Sequence, residues 1–142
     1  MRLTTVEASS PHLMLSTQLV SELGDTRSTL RAVAQRCDSA VIIYAGGEVD
    51  ACNEHTWQRL LNEAAAIMTP PDALVIDVTG LDFMACCAFA ALAEAADRCR
   101  RRGVDLCLVS LEPGVARIVQ ACGLSGVLPV YTTADSALPN TA

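Results

Sequence analysis

Aromatic side chains are scarce in this chain: one Trp, two Tyr and two Phe make up 4% of its 142 residues, although hydrophobic residues reach 51%. A core of stacked rings is excluded. A small aliphatic core of Ala, Val, Leu, Ile and Cys is predicted instead, with Trp57 as its one large member. Positive charge is short as well. Ten Lys+Arg against sixteen Asp+Glu leave a net charge of −6, whereas a phosphate-binding surface needs a cationic excess to release counterions. That argues against nucleic acid and fits a partner with a basic face. No run approaches the roughly 18 uninterrupted apolar residues of a membrane span. The N-terminus does not place a charged segment ahead of a sustained apolar one, so it does not read as a signal peptide, and the expected location is cytoplasmic.

Chemical signatures are also missing. Neither G-x-G-x-x-G nor G-x-x-x-x-G-K-[ST] occurs, so a phosphate-cradling nucleotide loop lacks its pattern. The seven cysteines (37, 52, 86, 87, 99, 107, 122) are odd in number and irregularly spaced, with no C-x-x-C pair, and in the cytoplasm they are expected to be reduced thiols. Cys52 and His55 form a C-x-x-H half-site without a second half, so no metal is expected, and no cofactor. His12 falls in an N-terminal tail and His55 near a helix start, where a solvated imidazole is the ordinary state.

What is present alternates between strand and helix. Residues 1–27 carry no sustained period and read as a flexible N-terminal tail with a weak helical stretch near 15–23. Residues 30–36 and 40–45 read as a β-hairpin turned by 37–39. Gly46 and Gly47 then break the strand. A helix follows over 52–68, capped by Asp50 or Asn53, with Trp57, Leu60, Leu61, Ala64 and Ile67 or Met68 on one stripe. Pro70 and Pro71 end it. Residues 73–78 (ALVIDV) read as a strand covered on both faces. The long helix 85–102 has Ala88, Phe89, Leu92, Ala96 and Cys99 inward and Arg100, Arg101 and Arg102 at its negative end, with Gly103 as its stop. A buried strand over 104–110, a helix opened by Pro113 and closed at Gly123, a short strand over 128–131 and a helical turn over 133–138 complete the order. This predicts one α/β domain over 28–139, a small mixed sheet of about five strands starting with a hairpin, and four helices mostly on one face.

In such a sheet, function gathers at the carboxyl ends of the parallel strands. Residues 46–53, 80–87 and 111–114 reach that edge. The adjacent thiols Cys86 and Cys87 stand where a strand turns into a helix, and a helix N-terminus favours thiolate. Cys86 is the member expected to be exposed, Cys87 to pack, and Cys99 and Cys107 to fill the core. Cys122, beside Gly123, is expected to be partly exposed.

Three stretches together, Gly47-Glu48-Val49-Asp50 before a helix, VIDVTGLDFMACCAFAAL, and RRRGVDLCLVSLEPGVARIVQACGLSGVLPVYTTADSAL, resemble the STAS-domain anti-sigma-factor antagonists. The likeness covers residues 29–138 and rests on Asp77, Thr79-Gly80, Phe83-Met84, Gly103 and Cys122-Gly123-Leu124 in combination. It implies a non-enzymatic module that binds an anti-sigma factor, commonly of the histidine-kinase-like ATPase type, and so releases a sigma factor. The implied contact residues are Glu48, Asp50, Met84, Ala85, Cys86 and Cys87. Relatives that switch by phosphorylation carry Asp-Ser-Ser-Gly at the turn; this chain has Ala85-Cys86-Cys87-Ala88. The acceptor position is Cys86, so a Ser-kinase switch is not expected. Two outcomes follow: Cys86 is a near-isosteric stand-in for Ser that leaves the module permanently in its binding form, or thiol oxidation replaces the switch. The candidate disulfide partners for Cys86 are Cys52, expected at the same edge, and Cys122, which would need the turn or the last helix to move; adjacent Cys87 is a poor candidate. Two other readings are a thiol-dependent redox enzyme using Cys86 and a STAS module that senses a small ligand or scaffolds a complex.

Overall fold

The computed structural model describes residues 16, 19, 21, 23, 29–37 and 39–138. Five strands form one sheet in the order β1 (Leu30–Cys37), β2 (Ala40–Val49), β3 (Ala73–Met84), β4 (Asp105–Val109) and β5 (Val130–Tyr131). The first pair is antiparallel and the other three are parallel. Helices α1 (Glu54–Ala66), α2 (Cys86–Arg101) and α3 (Pro113–Ala121) join the parallel strands, and α4 (Ala134–Ala137) follows the last. This is the predicted mixed α/β sheet.

The period of two along each strand divides the apolar residues between two layers. Val41, Ile43, Leu74, Ile76, Leu106 and Leu108 face the main core with Trp57, Leu60, Leu61 and Leu92 from α1 and α2 and Val119 from α3. On the opposite face Ile42, Val75, Cys107 and Val109 form a smaller cluster closed by Ala137 of α4. Burial, reinforced by Asp105, pushes the Cys107 thiol up to about 11, so at neutral pH it is an uncharged filler as predicted. Cys99 is also buried.

The tail predicted over 1–27 lies largely outside the described residues. At the positions that are described the segment is docked: Leu19 and Leu23 are helical and buried in the main core. Their spacing of four puts both on one helix face. Ser16 accepts the Leu19 N–H at 3.2 Å in the manner of an N-cap and donates its hydroxyl to Glu63 of α1 at 2.7 Å.

Two strand ends differ from the prediction. Gly46 and Gly47 do not break β2, which runs on to Val49, and β3 continues past Val78 to Met84. The two strands stay paired up to Val49 and Met84 through register shifts around residues 45–48. Glycine makes this possible. A Cβ on Gly80 would lie 2.9 Å from the Ala45 carbonyl oxygen, and Gly47, at φ +93, would press a Cβ to 1.8 Å from that of Thr29. What reads as a breaker is a bulge that lets the backbones close up.

Arg102 stands at the C-cap of α2, at the negative end as predicted, and has a second task. It reaches across to the end of α1, donating to the carbonyls of Ala65 at 2.6 Å and Met68 at 2.7 Å. The Ala65 carbonyl also accepts the Met68 N–H at 3.3 Å, so Arg102 adds a charged donor to the last turn of α1 and the residues just after it. Arg100 and Arg101 pair with Asp97, and Gly103 takes the predicted left-handed conformation at φ +78.

Candidate functional site

The extended strands carry two stretches to the same edge of the sheet. In the β2–β3 pairing, Glu48 stands opposite Phe83 and Val49 opposite Met84. The Ala85 N–H then donates to the Val49 carbonyl at 2.9 Å, which fixes the start of α2 against the end of β2. Trp57, fully buried on α1, donates its indole N–H to the Ala88 carbonyl at 3.1 Å. The first turn of α2 is therefore held from two sides, by a strand end and by the largest side chain of the core.

Ala85 occupies the N-cap of α2 in extended conformation and offers no side-chain acceptor. Cys86, the first helical residue, is exposed. Cys87 is half-buried, and its thiol pKa is held above the ordinary value, first by burial and then by the charge and hydrogen bond of Glu54 at the start of α1. The adjacent thiols are therefore unlike each other: one faces solvent, and the other is kept protonated by its surroundings. Replacing Glu54→Gln should relieve part of this and speed iodoacetamide labelling of Cys87 roughly threefold, with Cys86 unaffected, as read by mass spectrometry. An unchanged Cys87 rate would mean that burial alone protects it.

The loop from Glu48 to Asn53 is tied internally. Asp50 accepts the Cys52 N–H at 2.8 Å, so this carboxylate helps to build the turn as well as facing the edge. Asn53 takes the N-cap position of α1, one of the two residues predicted for it, but its side chain makes no capping bond to the helix. The Asn53 amide lies inside the loop, bonded to Asp50, Glu48 and Thr29. Glu48 and Cys52 are exposed and Asp50, Met84 and Ala85 half-buried.

Of the predicted residues, Glu48, Asp50, Cys52, Met84, Ala85, Cys86 and Cys87 are thus brought to one edge by the β2–β3 extension and the two helix starts. Cys122 is not. It is exposed at the C-cap of α3, and the nine residues of that helix carry it about 13 Å from the edge where α3 begins. Three exposed large apolar side chains went unread in the sequence: Phe83 at 52% exposure, Leu111 at 68% and Ile118 at 41%. Phe83 and Leu111 sit at the carboxyl edge. The sequence shows each only as an apolar residue beside an acidic one, Phe83 after Asp82 and Leu111 before Glu112. Among the described residues no group of three metal-ligating side chains occurs, and no helix is long and apolar enough to cross a membrane.

The family model for the STAS domain matches residues 31–137. RsfA, an anti-sigma-F factor antagonist of Mycobacterium tuberculosis, is 56% identical over 128 residues, spanning 90% of this chain and all of its own. A candidate anti-anti-sigma factor of the same species, Rv2638, is 60% identical over 136 residues, spanning 96% of this chain and 91% of its own. Among solved structures, an anti-sigma factor antagonist from Mycobacterium paratuberculosis matches with a TM-score of 0.68 at 22% identity, over 80% of this chain and 94% of that one. The phosphorylated form of the Bacillus cell fate determinant SpoIIAA matches at 0.58 and 16% identity, over 75% and 95%. The two structures share the fold; the two sequence relatives and the family model settle kinship. This chain belongs to the STAS-domain family of anti-sigma-factor antagonists.

Proposed function

We propose that this chain antagonises an anti-sigma factor in the cytoplasm, docking through Glu48, Asp50, Met84, Ala85, Cys86 and Cys87 with Phe83 as an added apolar anchor. The partner is an anti-sigma factor of the histidine-kinase-like ATPase type, and its capture frees a sigma factor. The observation that carries this reading is the start of α2: Cys86 stands exposed at the first helical position, beside an exposed Phe83 and an acidic loop. An apolar anchor with carboxylates around it suits a partner surface with a basic rim.

At the position where phosphorylated relatives keep serine, a thiol gives a kinase no hydroxyl, so the module stays in its binding form until it is oxidised. Two thiols give two protons and two electrons to a peroxide, which leaves as two waters, and a disulfide joins Cys86 to Cys52 or Cys122. Cys52 shares the docking edge; Cys122 requires α3 or the turn to move, because bridging needs Cα atoms about 4.4–6.8 Å apart.

The anti-sigma-F factor of Mycobacterium tuberculosis, whose antagonist RsfA is 56% identical to this chain, is the first probe. The reduced protein and Cys86→Ser are expected to bind it equally, and peroxide to weaken only the wild type, by about tenfold or more. Binding in neither redox state would sink the docking reading. Equal binding before and after peroxide would sink the redox control alone.

A further inference from the structure

Within the loop from Glu48 to Asn53 lies a side chain turned inward on the loop itself. Asn53 is 9% exposed and has both ends of its amide committed. Its Oδ1 accepts the Asp50 N–H at 2.9 Å, while Nδ2 donates to the Glu48 carbonyl at 2.9 Å and to Thr29 Oγ1 at 3.0 Å. Thr29 closes the same knot from the other side. Its carbonyl accepts the Glu48 N–H at 2.9 Å and is the atom against which Gly47 has no room for a Cβ. Glu48 is thus gripped at both its backbone groups, N–H by Thr29 and C=O by Asn53, while its side chain stays exposed.

We infer that Asn53 and Thr29 are positioning residues for the docking loop: they set the direction in which Glu48 and Asp50 meet the partner, without touching it. This rests on the docking reading above. Two features of the geometry support a role beyond holding the fold. The bonds converge on the two acidic residues of the loop rather than on the helix that Asn53 precedes, whose N–H groups its side chain leaves uncapped. And Thr29, which immediately precedes β1, ties the start of that strand to the loop through its hydroxyl and its carbonyl. Pre-ordering a charged loop raises affinity by reducing what must be ordered on contact.

The test uses the reduced full chain and the anti-sigma-F factor as probe. Asn53→Ala is expected to weaken binding about tenfold. Thr29→Val should reproduce part of the loss, and Thr29→Ser, which keeps the hydroxyl, should restore it. In a Glu48→Gln background the Asn53→Ala penalty should shrink to less than half, because the loop then has less charge to aim. A residue that only supports the fold would show full additivity, and Val119→Ala, which loosens the core beneath α3, would then weaken binding as much as Asn53→Ala. Either result overturns the inference. Amide hydrogen exchange on the free protein decides independently of any partner. Asn53→Ala should speed exchange at Glu48 and Asp50 about tenfold or more and leave β4 unchanged. Unaltered exchange at those two amides overturns the inference even if the probe binds, whereas accelerated exchange with no binding by wild type leaves the loop clamp standing and fails only the docking reading.

Discussion

Gly47→Ala is expected to cost about 3 kcal/mol of stability and to abolish docking, by far more than a single methyl group ordinarily does. The added Cβ would lie 1.8 Å from the Thr29 carbonyl oxygen, well inside contact distance. No rotamer change relieves a clash between a Cβ and a backbone atom. The φ of +93 adds strain of its own, since L side chains rarely adopt it. Relief requires moving residues 46–48 away from Thr29, which breaks the Glu48 N–H bond and shifts the register that brings Glu48 opposite Phe83. Stability and docking should therefore fall together. Gly114→Ala is the control: nothing lies within 4 Å of its Cβ direction, and its φ is not positive. In the first turn of α3 that change should be neutral or stabilise by about 0.5–1 kcal/mol. Urea denaturation of both variants checks the contrast. A Gly47→Ala protein as stable as wild type would mean that the β2 bulge is freely adjustable.

The second large effect is at Trp57. Truncation to Ala should destabilise by about 3–5 kcal/mol, a large part of the margin of a domain this size. The indole is fully buried, in a core whose other members are mostly aliphatic, with Phe89 as the other buried ring of the cluster. Trp57→Phe separates two contributions. It keeps much of the volume but removes the N–H that reaches the Ala88 carbonyl, and should cost about 1–2 kcal/mol. Because that bond holds the first turn of α2, the Phe variant should also loosen docking by several-fold. Thermal denaturation and binding to the anti-sigma-F factor, run side by side, test this. A Phe variant with unchanged affinity would show that the Ala85–Val49 bond holds the turn unaided.

Much of this fold could be read from one sequence because its signals are local. The inner stripes of α1 and α2, the proline that opens α3 and the glycines that close α2 and α3 each state a helical boundary within a few residues. The strand ends were harder to read for a physical reason. Gly46 and Gly47 look like punctuation unless the opposing Gly80 is known to lie against them, and that pairing spans more than thirty positions. The same applies to the first residues: Leu19 and Leu23 have helical spacing, but only the packed core shows a place for them. At the site, the position of Cys86 followed from strand, turn and helix, while Phe83 and Leu111 needed a measure of exposure. Asn53 was read as a helix cap by its place in the chain, yet its amide turns the other way because Thr29 and Glu48 offer better-placed partners. The end of α2 gives the same lesson: three consecutive arginines suit a helix terminus, but only the packed structure shows that Arg102 also reaches the carbonyls of Ala65 and Met68 at the end of α1.

The second face of the sheet adds a consequence for how the molecule is made. Ile42, Val75, Cys107 and Val109 come from three strands, and Ala137 covers them from a helix of four residues that follows every strand in chain order. During synthesis the main face gains α1 and α2 as the strands appear, whereas the second face has no cover until α4 is made. In that interval a band of apolar strand lies open to water, and the Cys107 thiol lacks the surroundings that push its pKa up to about 11. Any delay in completing the last helix lengthens that exposure, so closing this face waits on the four residues made after every strand described.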